Sequence, residues 1–338
     1  NKVTYSPKSF NNKFGVPLSL FNLKQDDKFG IFEIGMDKSG EIDHLSKIIR
    51  PDVGVITNIS YAHAKNFKNI KQIALAKSEI IHNIKNGGSL VLNADDEFYN
   101  FHKNIAQKKN IKVYSFSIKK RTSEINLDFI KKEGLKYKAS ININNKKKFF
   151  YINSNFDNYI KNLLAAISII SIFKNILNLN SNIFFNHKIP TGRGDISKIK
   201  VFNKYFYLID ESYNSNPLSL SSALKNFDLM KIDGSKKHVL LGDMLELGIH
   251  SKKLHKVISQ NINKTSIDTV NVIGKYMQDI YKNINNRKKG LILKKNSQII
   301  DLIKNNINNN DYLMIKGSNS TGLNKLTKNL KAGKINAL

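Results

Sequence analysis

The chain reads as an α/β protein built on two parallel sheets, and three observations carry that reading. Apolar runs of strand length alternate with longer periodic segments of helix type from Phe29 to Phe98. A block of short alternating runs follows between Lys112 and Ile152. From Lys200 onward five more apolar runs, YFYLID, HVLLGD, TVNVIG, LILKK and YLMIKG, each precede a helical pattern, as expected of a second parallel sheet with helices on both faces. At 338 residues the chain is long enough for two such cores.

Taken in order, KSFNNKFGVPLSLFNL supplies a loop and then a helix: Gly15 permits a turn and Pro17 suits a first helical turn. Asn11 and Asn12 place two amides there, able to reach a phosphate or carboxylate. FGIFEIG predicts a buried strand ending at Glu33, and GEIDHLSKIIR a helix. VGVITNI predicts a second buried strand, Val53 to Ile59, with Asn58 at its end. A loop then carries His63, and the next helix carries Lys77 near its start. The carboxyl ends of strands form the ligand crevice of an open parallel sheet, so Glu33, Asn58 and His63 are expected at one edge. A hard cation bound to phosphates takes one or two carboxylates plus neutral ligands, which Glu33 and His63 could supply. Their plain structural alternatives are a helix cap and a surface histidine, and for Lys77 a solvated charge.

Past Glu79, GGSLVLNADDEF reads as a turn, a strand and an acidic loop whose Asn93, Asp95 and Asp96 suit a structural role. VYSFS, INLDFI, LKYKASININ and KFFYI, separated by Glu-Gly and Asn-Asn turns, predict antiparallel hairpins appended to the parallel sheet. FDNYIKNLLAAISIISIF predicts an apolar helix with Asn162 on it, and PTGRGD, Pro190 to Asp195, a domain junction. The chain thus divides into 1–189 and 190–338.

Composition excludes several classes. With no cysteine there is neither a disulfide framework nor a thiolate metal site. The longest apolar run, Leu163 to Phe173, is too short for a membrane span, and no signal peptide opens the sequence. A soluble, cytoplasmic protein is the expectation. The net charge of +29 raises nucleic-acid binding, but only Arg50, Arg121, Arg193 and Arg287 of the 55 basic residues are arginine. Lysine is spread along every segment, whereas readers of bases and phosphates favour the arginine fork, so no nucleic-acid partner is expected.

The order and spacing of E-x-G, GEIDHL, RPDVGVITNI, AH and AKSEI resemble the Mur ligases, the ATP-dependent amide-forming enzymes of peptidoglycan assembly. NNKFGVPL, NADD, the Asn162-LLAA segment, PTGRGD, IDESYNSNP, GDMLELG and KGS extend the resemblance over essentially the whole chain. It implies a central ATPase domain with added hairpins, a Rossmann-like C-terminal domain, and ATP and magnesium as cofactors. By the same resemblance Glu33 and His63 are magnesium ligands, Lys77 holds a second magnesium once carbamylated, and Arg193 meets the ATP phosphates as the last domain closes. Asn162 contacts adenine, although Asn158 and Tyr159 stand where the family has His-Asn. Asp210 or Glu211 takes the ribose hydroxyls, and Tyr213, Asn214 and Asn216 shape the nucleotide-facing loop. Asn11, Asn12, Asn58, Asp243, Glu246, Lys316 and Ser318 are expected toward the substrates, with Asn319 in place of the arginine that often follows KGS.

GDMLELG together with Y-N-x-N-P is similar to the branch of the family that joins D-alanyl-D-alanine to UDP-N-acetylmuramoyl-tripeptide through an acyl phosphate. A monomer is expected. The alternatives are another superfamily member, such as the ligase adding the third residue or folylpolyglutamate synthase, and a lysine-rich nucleic-acid-binding protein. The family's G-x-x-G-K-[ST] phosphate loop occurs nowhere in the 338 residues, so the chain is expected to be a fragment that begins just after it.

Overall fold

The computed structural model describes residues 2–62, 64–187, 189–232 and 234–334, which leaves His63 outside the described residues. Two compact units result, one of residues 1–59 and 66–187, the other of residues 60–65 and 188–338.

In the first unit β1 (Val3–Tyr5) and β2 (Phe29–Ile31) form a parallel pair of their own. A six-stranded sheet runs in the order β3 (Val53–Ile56), β4 (Ser89–Asn93), β5 (Lys112–Ser117), β6 (Ile125–Glu133), β7 (Lys136–Ile143), β8 (Lys146–Ile152). Strands β3 to β6 are parallel, and β6 to β8 antiparallel.

The strand expected to reach Glu33 stops at Ile31 and is not buried: Ile31 is 62% exposed and Tyr5 of its partner 66%. Among the described residues β2 pairs with β1 alone, so no wider sheet encloses it. The second expected strand, β3, likewise ends at Ile56 rather than Ile59. The VYSFS run, expected in a hairpin, is the parallel strand β5. The cause is α4 (Tyr99–Lys108), a helix that carries the chain back so that β5 enters in the same direction as β4. Its sequence, YNFHKNIAQK, is mostly polar and buries only His102 and Ala106.

The other helices of this unit are α1 (Gly15–Leu20), α2 (Glu41–Ile49), α3 (Ile70–His82) and α5 (Asp157–Phe173). Helix α2 begins at Gly40, which has no side chain to cap it. The Glu79 carboxylate of α3 serves instead, accepting from the amides of Gly40 (2.8 Å) and Asp43 (3.0 Å). Helix α5 lays Leu163, Leu164 and Ile167 against Val91, Phe116, Ile141 and Phe150 of the sheet. Each such side chain contributes about 1.5–3 kcal/mol on burial.

The second unit is one sheet of six strands: β9 (Asp195–Val201), β10 (Lys204–Asp210), β11 (Lys237–Gly242), β12 (Thr269–Ile273), β13 (Lys289–Leu293) and β14 (Tyr312–Lys316). Their order is β13-β12-β11-β14-β10-β9, all parallel except β9, which pairs antiparallel with β10. The five predicted strands are present. Strand β9 is an addition, joined to β10 through Phe202 and Asn203, both at positive φ (50° and 61°), as a two-residue hairpin turn requires. Helices α9 (Ile299–Asn306) and α10 (Leu323–Lys331) bury Leu302, Ile303, Leu326 and Leu330 against Phe206, Leu208, Leu313 and Ile315. Helices α6 (Pro217–Leu229), α7 (Ser251–Asn263) and α8 (Lys275–Lys282) pack side by side, and right-handed crossovers put them over the opposite face. The connections therefore change sides between the adjacent strands β11 and β14, the place where open parallel sheets bind ligands.

Candidate active site

At that switch point three neighbouring strands end together: β10 at Asp210, β14 at Lys316 and β11 at Gly242. Their loops interlock through Ser318. Its amide donates to the Asp243 carbonyl (3.0 Å), its hydroxyl donates to the Ser215 carbonyl (3.3 Å), and its oxygen accepts from the Leu245 amide (2.8 Å). Beside them Gly242 and Gly317 approach so closely that a Cβ on either would meet Leu323, at 2.6 and 2.8 Å.

The acidic pair at the end of β10 is differentiated by its surroundings. Asp210 is buried, and its carboxylate accepts from the Ser212 amide (3.0 Å), the Ser212 hydroxyl (2.5 Å) and Lys331 (2.7 Å). Lys331 also bridges to Asp195 at the start of β9, and these two carboxylates raise its pKa against the opposing effect of burial. Glu211 stays 18% exposed and accepts from Lys316 (3.2 Å). Arg193 lies over the ring of Tyr213, 4.4 Å from its centroid, and the Tyr213 amide donates to the Gly192 carbonyl (3.1 Å). Gly192, at φ 80°, donates in turn to the Asp195 carboxylate (2.7 Å). Arginine, glutamate and tyrosine thus share one loop cluster at the carboxyl edge.

Other predicted residues of this unit are structurally committed. Asn216 caps α6 by accepting from the Ser219 amide (2.9 Å) in a reciprocal capping box, and the Asn214 side chain accepts from the Ser215 amide (2.8 Å). Asp243 is buried and accepts from the Met277 amide in the first turn of α8 (2.8 Å); burial pushes its carboxyl pKa up, opposed by those amides. The Glu246 carbonyl accepts from the Lys65 amide (2.7 Å), at a positive φ of 64°. Next to Asp243 a cavity of about 390 Å³ is lined by Leu245, Ile273, Gly274, Lys294, Lys295 and Thr321.

In the first unit Glu33 is exposed beyond β2. Its carboxylate accepts from the Asn11 amide (2.8 Å) and its backbone amide donates to the Ser6 hydroxyl (3.0 Å). Asn11 and Glu33 are therefore brought together, while the Asn12 side chain accepts from the amides of Phe14 (3.1 Å) and Gly15 (2.9 Å) at the start of α1. Lys77, expected near a helix start, falls in the second half of α3 and donates to the Asn58 carbonyl (3.0 Å). Desolvation lowers its pKa, partly offset by the Asp96 carboxylate. Asn93, Asp95 and Asp96 accept from backbone amides at Asp95, Ile118, Ile59 and Phe98, the structural role expected of them. Asn162 is exposed on the second turn of α5. The exposed Glu33 carboxylate is an oxygen donor of the kind magnesium takes. No group of three or more metal-binding side chains occurs among the described residues, which do not include His63.

Comparison with known proteins settles the family. The Mur ligase middle domain matches residues 1–170, and the Mur ligase glutamate ligase domain matches residues 199–319. The chain belongs to the Mur ligase family. It is 33% identical over 329 residues to the UDP-N-acetylmuramoyl-tripeptide--D-alanyl-D-alanine ligase of Buchnera aphidicola from Acyrthosiphon pisum, covering 95% of this chain and 69% of that one. It is 29% identical to the same-named ligase of Rickettsia prowazekii, covering 94% and 70%. Among solved structures it superposes on MurF from Acinetobacter baumannii with a TM-score of 0.85 at 22% identity, covering 98% of this chain and 71% of that one. It superposes on MurF from Thermotoga maritima in complex with ADP with a TM-score of 0.81 at 21% identity, covering 99% and 74%. At those identities the structures establish the Mur ligase fold.

Reading the Mur ligase motifs in sequence missed Ser6, which receives the Glu33 amide, and Ser212 and Lys331, which occupy Asp210. Lys331 lies 121 positions from Asp210, and nothing in its local pattern marks the pairing.

Proposed function

We propose that this Mur ligase joins D-alanyl-D-alanine to UDP-N-acetylmuramoyl-tripeptide with hydrolysis of ATP to ADP and phosphate, a step of peptidoglycan biosynthesis. The observation that carries the reading is 33% identity to a ligase of that name across both units. The terminal carboxylate of the tripeptide attacks the γ-phosphorus of ATP, and ADP leaves. The amine of D-alanyl-D-alanine then attacks the acyl carbon, phosphate departs, and the amine gives up a proton as the amide forms.

Such a reaction needs neutralised phosphoryl oxygens and two reactants held in register. Arg193, presented on the face of Tyr213, answers the first need as a cation placed for phosphate. With both oxygens of Asp210 occupied, Glu211 is the carboxylate left to receive the ribose hydroxyls, and Asn162 is the amide for adenine. Glu33 and His63 would hold magnesium, which supplies charge neutralisation. Lys77 is suited to carbamylation because desolvation favours the neutral amine that reacts with carbon dioxide. Asn11 orients Glu33, and the loops of Ser318 and Glu246 are assigned to the peptide substrates. The enzyme works as a monomer in the cytoplasm; among the described residues no helix is long and apolar enough to cross a membrane.

The test supplies ATP, magnesium, UDP-N-acetylmuramoyl-tripeptide and D-alanyl-D-alanine to the protein with any sequence that precedes Asn1 in its reading frame. The expected outcome is the pentapeptide product by mass spectrometry, with one ADP per amide. Product from a single amino acid in place of the dipeptide would move the protein to another branch of the family.

A further inference from the structure

Lys316 ends β14 at the switch point and is expected, from the resemblance alone, to face substrate. Its surroundings direct it elsewhere. The side chain is 2% exposed, and its ammonium donates to the Asn214 carbonyl (3.0 Å), the Glu211 carboxylate (3.2 Å) and the Glu211 carbonyl (3.4 Å). An ammonium has three protons and no further donor, so these three acceptors use its whole capacity. Both residues it holds lie on the β10–α6 loop, at the two ends of the stretch Glu211–Asn214. Between them sits Tyr213, on whose ring Arg193 rests.

We infer that Lys316 is a positioning residue: it fixes the Glu211 carboxylate and the shape of the Glu211–Asn214 loop, and through Tyr213 the placement of Arg193, without touching the nucleotide. The inference rests on the proposed role of Glu211 toward the ribose.

Three further observations support it. Asp210 cannot stand in for Glu211, since Ser212 and Lys331 occupy its oxygens. A Cβ at Gly194 would lie 3.0 Å from Glu211 Oε1, so the junction glycine bounds that carboxylate on the side away from the lysine. Burial lowers the Lys316 pKa while the Glu211 carboxylate opposes the shift, so the buried ammonium depends on that carboxylate for charge balance. Removing a buried lysine whose only task was stability would weaken the fold and leave the choice between nucleotides unchanged. Removing one that aims a binding group changes that choice in a variant that still folds.

The experiment compares the affinity of ATP with that of 2′,3′-dideoxy-ATP in the parent protein, in Lys316→Met, in Glu211→Gln and in the double variant, each checked for fold by circular dichroism and melting. It retains any sequence preceding Asn1 in the reading frame. The parent is expected to prefer ATP by on the order of tenfold, the worth of hydrogen bonds from hydroxyls to a fixed carboxylate. Lys316→Met is expected to shrink the preference below about twofold, and to add nothing in the Glu211→Gln background, where the lysine has lost the group it aims. If Lys316→Met does not fold, Lys316→Gln takes its place. Full preference retained in a folded Lys316 variant would overturn the inference while leaving the nucleotide reading intact. A parent with no preference would overturn that reading, and the positioning role with it.

Discussion

The two units finish their strands differently. In the second, three adjacent parallel strands end side by side, and the polar groups at their tips are saturated by one another: Asp210 by Ser212 and Lys331, Lys316 by Glu211 and Asn214, Ser318 by three backbone groups. In the first, Glu33 stands exposed past a three-residue strand, steadied by Asn11 and Ser6, and Lys77 reaches the Asn58 carbonyl from a separate helix. The contrast teaches that a strand end becomes rigid when its neighbours on both sides belong to the same sheet. It stays accessible, and is rigidified by few bonds, when they do not.

The sharpest way to break the comparison is at Glu33. Because the residue is exposed and holds little structure together, Glu33→Ala is expected to lower ligation below about one-hundredth of the parent rate, the scale of losing one electrostatic contact to a transferring group. The urea midpoint should stay unchanged. A rate within tenfold of the parent, measured by amide product formation, would remove Glu33 from the proposed metal site.

Next in size is a test of how deeply each strand is buried. Leu313 in β14 is fully enclosed between β10 and β11, so Leu313→Ala should cost about 2–5 kcal/mol. Ile31→Ala in exposed β2 should cost less than about 0.5 kcal/mol. Urea unfolding followed by circular dichroism measures both, and equal costs would mean that β2 is covered in solution.

The smallest effect is on pH. Burial lowers the pKa of His238 and His255 in the second unit and of His102 in the first, in each case outweighing nearby groups that favour the proton. A histidine depressed in the folded state binds its proton first in the unfolded chain. Its contribution is therefore present above the ordinary value of 6.5 and is lost as pH falls below it. With two such residues against one, the second unit should lose amide-exchange protection faster than the first between pH 7 and pH 5. A uniform loss would place the acid sensitivity elsewhere.

Much of this was legible in the chain. The five strand and helix repeats after Lys200 announced the second sheet because fully buried parallel strands must be continuously apolar, and the quoted motifs fell at strand ends because the fold binds ligands there. Asn216, expected to shape the nucleotide-facing loop, stands where that loop meets α6 and is taken up as the helix cap. The failures were also physical. Helix α4 escaped notice because it buries little, and with it went the direction of β5. Strand β9 was hidden behind a junction signal that runs directly into it.

By itself, then, the sequence determined the fold class, the second sheet and the family, since periodicity and local motif spacing are properties of neighbouring residues. Tertiary structure alone decided which of two adjacent acids is occupied, that Lys316 spends its charge on the β10–α6 loop, and that Asp243 caps α8. Those outcomes depend on partners as far as 121 positions away, brought within about 3 Å by strand order, which no local pattern encodes.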